Sequence, residues 1–525
     1  MKCDSRTLWR TSAVLAASAT GALLLALARD PQGAAAAGGS NTPAIDPVAV
    51  NGPIFEDWPQ PTLALVFSGE LDGYLEPCGC AGLENQLGGL KRRHTLVKQL
   101  VEQGWPLALL DLGGLAKRTG VQAEIKYRYA LESLVEIGYQ AVGLGAGDLR
   151  LNADQLAFAM MNIDPAVSPL VSANVGVYGF DGAAGMGSAR FRVLEVGGKR
   201  IGVTSVLGAR HETLVKNNPD VEFQSPAAAL SFVAPQLAAA NCDLQVLLVH
   251  GDPREAAELS RQFPQFQVVA TAGGADEPPA QIRLIEGSGA AIVETGHKGM
   301  YVTVLAFFDH PDPSQRNRYQ RVPLDARFAE SPQMQAKLTN YQKELQTNGL
   351  DGLGLTPVAH PDGEFAGSAA CADCHTAAWE VFEKTPHAHA TDTLVNLTPA
   401  RHFDPECLSC HVTGWDPQQY TPYVSGYLGL DSTPHLTQNG CENCHGPAAA
   451  HVAAENGEID ATEEELESLR AALRMKIVPN EGNKDGQEFE NGTVVKNCMQ
   501  CHDQDNSPDF DFQEYWPHVR HDGVD

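Results

Sequence analysis

Four copies of the pattern Cys-x-x-Cys-His lie in the last third of the chain. Two thiols separated by one helical turn can add to the two vinyl groups of a haem, and the adjacent histidine then reaches the iron from the proximal face. The residues of the four motifs are Cys371, Cys374 and His375; Cys407, Cys410 and His411; Cys441, Cys444 and His445; and Cys498, Cys501 and His502. The spacing predicts four covalently attached haem c groups, each with a proximal histidine on its iron.

Zinc and disulfides are the alternative uses of paired cysteines. Structural zinc sites also use Cys-x-x-Cys pairs, but they do not require a histidine directly after every pair. A disulfide framework would leave the four histidines without a purpose. The repeated histidine therefore favours haem over both alternatives, and no non-haem metal is predicted.

Histidines are concentrated in the same region: twelve of the 17 lie from His360 onward. Four of the twelve belong to the motifs, which leaves eight that could bind the opposite, distal face of an iron. A haem with histidine on both faces suits electron transfer, whereas an open distal face permits ligand binding or catalysis. For any single spare histidine, a surface position is an equally good interpretation.

The formal net charge of the 525-residue chain is −28, which argues against nucleic acid as a partner because nothing would neutralise the phosphates. The charge fits a protein that meets basic redox partner proteins through electrostatic steering. A solvated acidic surface without any partner fits it equally well.

The first 28 residues have the features of an export signal. Lys2, Arg6 and Arg10 precede a short apolar run from Ala13 to Leu27, and small residues follow at a possible cleavage site. Export to the periplasm is expected, with the segment either cleaved or retained as the chain's membrane anchor.

Composition and periodicity divide the rest of the chain into four parts. Residues 29–60 are predicted to be a flexible tether, and residues 61–310 an α/β domain. Residues 311–366 are predicted to form a linker with one helix, Ser331 to Thr347. Residues 367–525 are predicted to be a mainly α-helical and irregular multihaem cytochrome c domain.

The α/β prediction rests on β-rich runs that alternate with helical spacing. The clearest helical segments are Leu90 to Glu102 and Ala123 to Ile137. The predicted buried strands are Thr62 to Phe67, Leu107 to Leu112, Gln140 to Leu144, Pro169 to Asn174 and Leu244 to His250. In the C-terminal part, Thr462 and Glu465 predict the start of a capped helix.

The C-terminal part resembles the tetrahaem cytochrome c-554 family over nearly all of residues 367–525. The resemblance rests on CADCHTAAWEVFEKTPHAHATDTL, CLSCHVTGW, CENCHGPAAAH and CMQCHDQDNSPDFDFQEYWPHVRH. In such proteins the haems stack in closely spaced pairs, which carries electrons onward.

The resemblance also implies distal iron ligands. Three positions match the family pattern: His387, His451 and His521. His389 and His518 are near-neighbour alternatives, and His435 and His402 are candidates for a fourth distal ligand. The family often leaves one haem five-coordinate, and the second motif, with His411, is then the expected open one.

Residues 62–308 resemble the 5′-nucleotidase branch of the calcineurin-like metallophosphoesterases, which implies an α/β sandwich. The matching segments are LALVFSGELDGY, GGLKRRHTLVKQL, LLDLGG, GYQAVGLGAGD, LLVHGD and ETGHKGMYVTV.

Most metal ligands of that family are replaced in this chain. Glu70-Leu71-Asp72 stands for Asp-x-His, Gly113-Gly114 for Gly-Asp, and Ala146-Gly147-Asp148 for Asn-His-Glu. Gly274-Ala275-Asp276-Glu277 stands for Gly-His-x-His, and His250 is unchanged. A metal pair cannot be held by so few ligands, so we expect a phosphatase-like scaffold without phosphatase activity.

Cys78 and Cys80 follow the first strand, beside the former metal pocket. A Cys-x-Cys disulfide would be a small strained ring, so the exported pair could cycle between redox states. The position resembles a variant group of the same family in which a redox-active residue occupies this loop. A structural or metal-binding pair is an equal alternative.

Three functions are therefore compatible with the sequence. The first, which is favoured, is electron transfer through four haems. The second is reduction of a small substrate at an open haem or at the Cys78 and Cys80 pair. The third, which is least favoured, is 5′-nucleotidase-like phosphohydrolysis.

Overall fold

The structure is a computed structural model that describes residues 45–78, 83–161, 163–164, 168–180, 188–216, 218–475 and 493–521. The export signal and the first part of the predicted tether lie outside these residues. Within them, no helix combines the length and the apolarity that crossing a bilayer requires.

The strands follow the predicted α/β pattern through the N-terminal part, except that the predicted strand from Pro169 to Asn174 forms only isolated bridges at Leu170 and Val171. They are β1 Leu63–Ser68, β2 Pro77–Cys78, β3 Leu87–Gly88, β4 Leu107–Asp111, β5 Ala141–Val142, β6 Val175–Val177, β7 Phe191–Val196, β8 Lys199–Leu207, β9 Val221–Phe223, β10 Leu244–His250, β11 Val268–Ala272, β12 Arg283–Leu284, β13 Ala291–Glu294, β14 Tyr301–Phe307, β15 Asn317–Pro323, β16 Trp415–Asp416 and β17 Thr421–Pro422.

The helices lie between these strands and make up most of the C-terminal part. They are α1 Pro47–Asn51, α2 Leu90–Glu102, α3 Val121–Ile137, α4 Ala153–Met161, α5 Glu212–Val215, α6 Pro226–Ala239, α7 Pro253–Gln262, α8 Pro332–Gly352, α9 Thr376–Phe382, α10 Ala390–Asn396, α11 Pro405–His411, α12 Cys441–His445, α13 Ala449–Glu455, α14 Glu463–Leu473, α15 Thr493–Cys498 and α16 Phe512–Tyr515.

Two β-sheets pack face to face. The first runs in the order β15-β14-β1-β4-β5, and the second in the order β12-β13-β11-β10-β8-β7. Strands β1, β4 and β5 are parallel, as are β8, β10, β11 and β13, whereas β14, β15, β7 and β12 pair antiparallel at the sides. Parallel strands buried on both faces read as continuous apolar runs, which is why they were recognisable in the sequence.

Three apolar layers hold this sandwich together. Leu65 of β1 and Val203 of β8 belong to the core between the sheets. Leu134 of α3 belongs to the core on the outer face of the first sheet, and Val233 of α6 to the core on the outer face of the second. The N-terminal part is therefore an α/β sandwich with helices on both outer faces.

The predicted boundaries differ from the structure on both sides of this sandwich. Residues 45–60 are not a tether, because α1 forms there and Trp58 stacks on Trp105 with ring centroids 6.1 Å apart. Residues 311–366 contain the predicted helix as α8, but they are not a linker. Strand β15 extends the first sheet, and α8 packs on α3 through Leu338 and Leu345. Both segments lacked the long apolar runs that mark buried elements.

The C-terminal part has a small core of its own. Leu408, Val412, Trp415, Tyr427 and Leu436 are buried together beside short helices and turns. The capped helix predicted from the Thr462 and Glu465 pair is present as α14, and both hydrogen bonds of the capping box form. This part is mainly helical and irregular, as predicted.

A buried ion pair supports the first sheet. The Arg93 guanidinium of α2 lies 3.7 Å from the Asp111 carboxylate of β4, and neither side chain has exposed surface. Arg93→Met should lower the free energy of unfolding by about 3 to 5 kcal/mol because it leaves a buried carboxylate unpaired. Urea unfolding followed by circular dichroism measures the change.

Lys98→Met is the matched control, because Lys98 pairs with Glu102 at the exposed surface of the same helix. Its effect should stay within about 0.5 kcal/mol. Equal stability losses in the two variants would contradict the assigned role of the buried pair.

Candidate functional site: thiol and imidazole clusters

Each Cys-x-x-Cys-His motif closes one helical turn. The backbone N–H of His375 donates to the Cys371 carbonyl at 2.9 Å, and that of His502 to the Cys498 carbonyl at 2.8 Å. The second and third motifs lie within α11 and α12. A single turn brings both thiols and the imidazole of a motif to the same side of the chain.

The eight motif cysteines are free thiols. The thiols of Cys371 and Cys441 hydrogen-bond to each other, and so do those of Cys410 and Cys501. The first motif therefore lies against the third, and the second against the fourth. This arrangement groups the motifs in two pairs.

Pairs of imidazole rings from distant parts of the chain face each other. The rings lie 6.5 Å apart for His375 and His451, 5.9 Å for His387 and His502, and 5.8 Å for His445 and His521, measured between centroids. Metal–imidazole bonds of about 2 Å place the two ligating nitrogens about 4 Å apart and the ring centres farther. Each pair joins one motif histidine to one histidine that the resemblance implied as distal, and the spacing accommodates one metal ion.

His411 of the second motif is held differently. Its Nδ1 lies 2.8 Å from the Ala390 carbonyl, so Nδ1–H donates there and Nε2 remains available. The ring contacts that join the other three motif histidines to a partner do not include His411. Its imidazole is therefore oriented as a ligand without a second histidine opposite it among the described residues.

The remaining histidine candidates lie elsewhere. His435, His389 and His518 are exposed, and His389 lies 3.6 Å from Asp392. His402 is half-buried against Phe403. The structure does not bring any of these four rings to face a motif histidine.

A cavity opens between the first and third motifs. Trp379, Phe382 and Val519 contribute apolar walls, and the thiol-bearing Cys371 and Cys441 lie at its edge. An apolar cleft edged by thiols and imidazoles matches the surface of a porphyrin, which is apolar except at its metal and propionates. The residues present therefore fit haem.

Glu442, inside the third motif, is a positioning residue that the sequence analysis missed. Its buried carboxylate accepts hydrogen bonds from the backbone N–H groups of Ala366, Gly367 and Ala448, at 2.7 to 2.9 Å. It thereby ties α12 to the segment that precedes the first motif. Asp373 occupies the first motif but is exposed, so the sequence alone does not separate the two roles.

In the N-terminal part, two positions that hold metal ligands in the resembling family are unfavourable for a side chain. A Cβ atom on Gly147 would lie 1.9 Å from the Ala116 carbonyl oxygen, so a histidine does not fit there. Gly114 has a left-handed φ of +80°, and its Cβ atom would lie 3.1 Å from His250 Cε1, so an aspartate there would be strained.

The nearby carboxylates have other partners. Asp148 accepts hydrogen bonds from the backbone N–H groups of Gly114, Leu115, Ala116 and Gly145. Burial raises the pKa of Asp148 to about 6, and these N–H groups oppose the rise. Asp111 faces Arg93. Neither carboxylate is free to bridge two metals.

A smaller polar cluster remains at the ends of β1 and β13. His297 Nε2 lies 3.0 Å from a Glu70 carboxylate oxygen, and its Nδ1 faces Asp72. Hydrogen bonding to Asp72 raises the pKa of His297 to about 9, whereas burial lowers that of His250 to about 3. Within the described residues, no group of three or more His, Cys, Asp or Glu side chains is arranged to hold a metal ion.

The predicted Cys78 and Cys80 pair cannot be placed completely. The backbone of Cys78 ends β2, opposite Leu87. Its side chain and all of Cys80 lie outside the described residues.

Comparison with known families matches the C-terminal part to a cytochrome family. The family profile described as "Cytochrome c554 and c-prime" matches residues 370–446, which include the first three motifs. The expected resemblance to the cytochrome c-554 family is confirmed for residues 370–446.

The N-terminal part is similar to 5′-nucleotidases. A snake venom 5′-nucleotidase from Gloydius brevicauda is 21% identical over 300 residues, covering 53% of this chain and 50% of that protein. This chain therefore spans about half the length of that curated relative.

Solved structures are also similar to this chain. A 5′-nucleotidase precursor from Thermus thermophilus gives a TM-score of 0.46 at 19% identity, covering 54% of this chain and 59% of that one. A sulfate thiohydrolase from the same organism gives 0.45 at 11% identity, covering 62% and 68%. The α/β sandwich described above is the architecture that the sequence predicted for this part.

The His297 cluster predicts a pH dependence of stability. A histidine whose pKa rises from about 6.5 unfolded to about 9 folded stabilises the protein fully below pH 6.5, and the contribution is lost as the pH rises toward 9. His297→Gln should therefore flatten the decline of the urea midpoint between pH 6.5 and 9. His310→Gln, at an exposed loop, is the control and should keep the wild-type slope. A wild-type slope in His297→Gln would exclude this origin.

Proposed function

We propose that this chain is an exported electron-transfer protein that carries four haem c groups in its C-terminal third. The observation that carries the proposal is the set of three facing imidazole pairs, each beside a pair of free thiols. One-electron transfer favours irons whose coordination changes little on reduction, and two imidazoles provide that coordination.

The distances between thiols and imidazoles indicate which residues would bind each of the four haems. Each motif would bind its haem through its two thiols and its own histidine. The distal ligands would be His451 for the first motif, His521 for the third and His387 for the fourth. His435 is a candidate for the fourth distal ligand from the sequence. Its ring is exposed, and the ring pairs that involve motif histidines do not include it. The bound haems would supply reversible one-electron oxidation and reduction, and the chain would fix their order and spacing.

The pairing of the motifs supports transfer between haems. Thiols of the first and third motifs touch, as do those of the second and fourth. The His387 ring lies 5.9 Å from the His502 ring, and His411 is within electrostatic range of His387. Haems held by the two motifs of a pair would therefore be neighbours, which would shorten the route for electrons between them.

Export follows from the N-terminal segment and from the chemistry of attachment. The segment precedes a chain whose cysteines need the haem-attachment machinery outside the cytoplasm, so we infer a periplasmic or periplasm-facing location. Basic redox proteins are the partners that the net charge of −28 favours.

Reduction of a small substrate is the second candidate, and the state of His411 favours it. An iron whose only histidine ligand is His411 would keep one coordination position for a ligand. The phosphohydrolase alternative receives no such support, because Gly114 and Gly147 are packed against neighbouring atoms and Asp148 is saturated by backbone donors.

A substitution of one distal candidate tests the proposed pairing. His451→Ala should convert one of the four haems from low spin to high spin while leaving all four attached, because the thioether bonds do not involve His451. Electron paramagnetic resonance and the visible spectrum report the change. His435→Ala, at an exposed ring, should leave the spectrum as in the wild type. A fully low-spin His451→Ala protein would contradict the assignment.

Ligand binding tests the second motif. The reduced protein should bind carbon monoxide or nitric oxide at one haem per chain, because one motif histidine lacks a facing imidazole. Titration with visible spectroscopy gives the stoichiometry. In His451→Ala the number should rise to two. A wild-type protein that binds none would show that another residue fills the sixth position.

A further inference from the structure

Side chains from the N-terminal sandwich converge on the second and fourth motifs. The segment before the second motif carries Asp404 and Glu406, and the loop after the fourth carries Asp505. Each of these three carboxylates is held by residues of the first 342 positions. The contacts show what the sandwich does for the haem-binding part.

Asp404 is the N-cap of α11, the helix that bears the second motif. Gln122 of α3 and Gln342 of α8 each donate an Nε2–H to its buried carboxylate at 2.8 Å. A helix N-cap stabilises the first turn and fixes where the helix begins. Two glutamines of the sandwich thus fix the start of the helix that presents Cys407, Cys410 and His411.

Glu406, directly before Cys407, faces two cations of the sandwich. Lys126 of α3 forms an ion pair with it, and Arg118 Nε lies 3.9 Å away. Lys126 is 13% exposed, so water screens the pair weakly. Burial raises the pKa of the Cys407 thiol, and the charges of Asp404, Arg401, Glu406 and Lys126 all act on it. These charges are therefore within electrostatic reach of the attachment point of the second haem.

Asp505, three residues after His502, has the same arrangement. Lys117 forms an ion pair with it, and Lys298 Nζ lies 2.7 Å from its carboxylate. Burial raises the pKa of Asp505, but the ammonium groups of Lys117 and Lys298 lower it more, to about 2. Asp505 is therefore ionised and compensated by the sandwich at neutral pH.

The acidic residue of the third motif is satisfied differently. Glu442 takes its hydrogen bonds from Ala366, Gly367 and Ala448, all within the C-terminal part. The ion pairs with cations of the sandwich described above therefore lie at the second and fourth motifs.

We propose that the phosphoesterase-like sandwich acts as a charge-compensating partner of the second and fourth haems, with Lys126 and Arg118 serving the second, and Lys117 and Lys298 the fourth. This inference rests on the proposed haem attachment. A carboxylate beside a haem favours the oxidised iron and lowers its midpoint potential, and a nearby ammonium group opposes that effect. Lys126 is thus a positioning residue that raises the potential of the second haem.

Paired substitutions at one contact test the proposal on the complete holoprotein. In a potentiometric titration fitted to four potentials, Lys126→Met should lower one potential and leave the other three unchanged. Glu406→Gln, which retains an oxygen acceptor but no charge, should raise that same potential. The double variant should return it toward the wild-type value, since both charges are then absent. Lys126→Arg, which keeps the positive charge, should leave this potential at the wild-type value.

Lys337→Met is the matched control. Lys337 pairs with Glu132 and Glu136, about two to three turns farther along α3 from Lys126, and is 23% exposed. It should leave all four potentials unchanged.

The two single variants have opposite expected signs, so a general loss of folding cannot imitate the result. The inference would be overturned if all four haems are attached and no potential changes in Lys126→Met. It would also be overturned if Lys126→Met and Glu406→Gln shift the potential in the same direction. The proposed function would stand in both cases. A purified protein that lacks covalent haem would remove the proposed function itself.

Discussion

The C-terminal structure depends on three pairs of facing imidazole rings. In each pair the spacing accommodates one metal ion between the two rings. The partners in each pair come from segments far apart in the chain, so each pair fixes how two segments meet. The segments have few buried aliphatic side chains of their own. A group that bridges the rings and bonds to the thiols would supply the apolar surface that these short helices and turns lack.

The N-terminal sandwich contacts the C-terminal part through charged and polar side chains. Lys117 and Lys298 reach Asp505 after the fourth motif. Gln122 and Gln342 donate to Asp404 at the start of α11. The sandwich therefore supports the second and fourth motifs through charges and hydrogen bonds.

The sequence predicted the parts of the fold that have a strong local signature. The segments α2 and β10 have the predicted bounds, and the capping box at Thr462 forms as expected. The segments around α1 and β15 escaped prediction because their burial comes from contacts with distant residues rather than from an apolar run of their own. Resemblance supplied three distal candidates, but which motif each faces depends on three-dimensional packing.

Covalent attachment of four haems through the thiols of the four motifs can be measured by the intact mass of the mature protein together with its iron content. Attachment at all four motifs should give a mass that exceeds the polypeptide by four haem groups, with four irons per chain. A mass equal to that of the bare polypeptide would show that the motifs do not bind haem covalently.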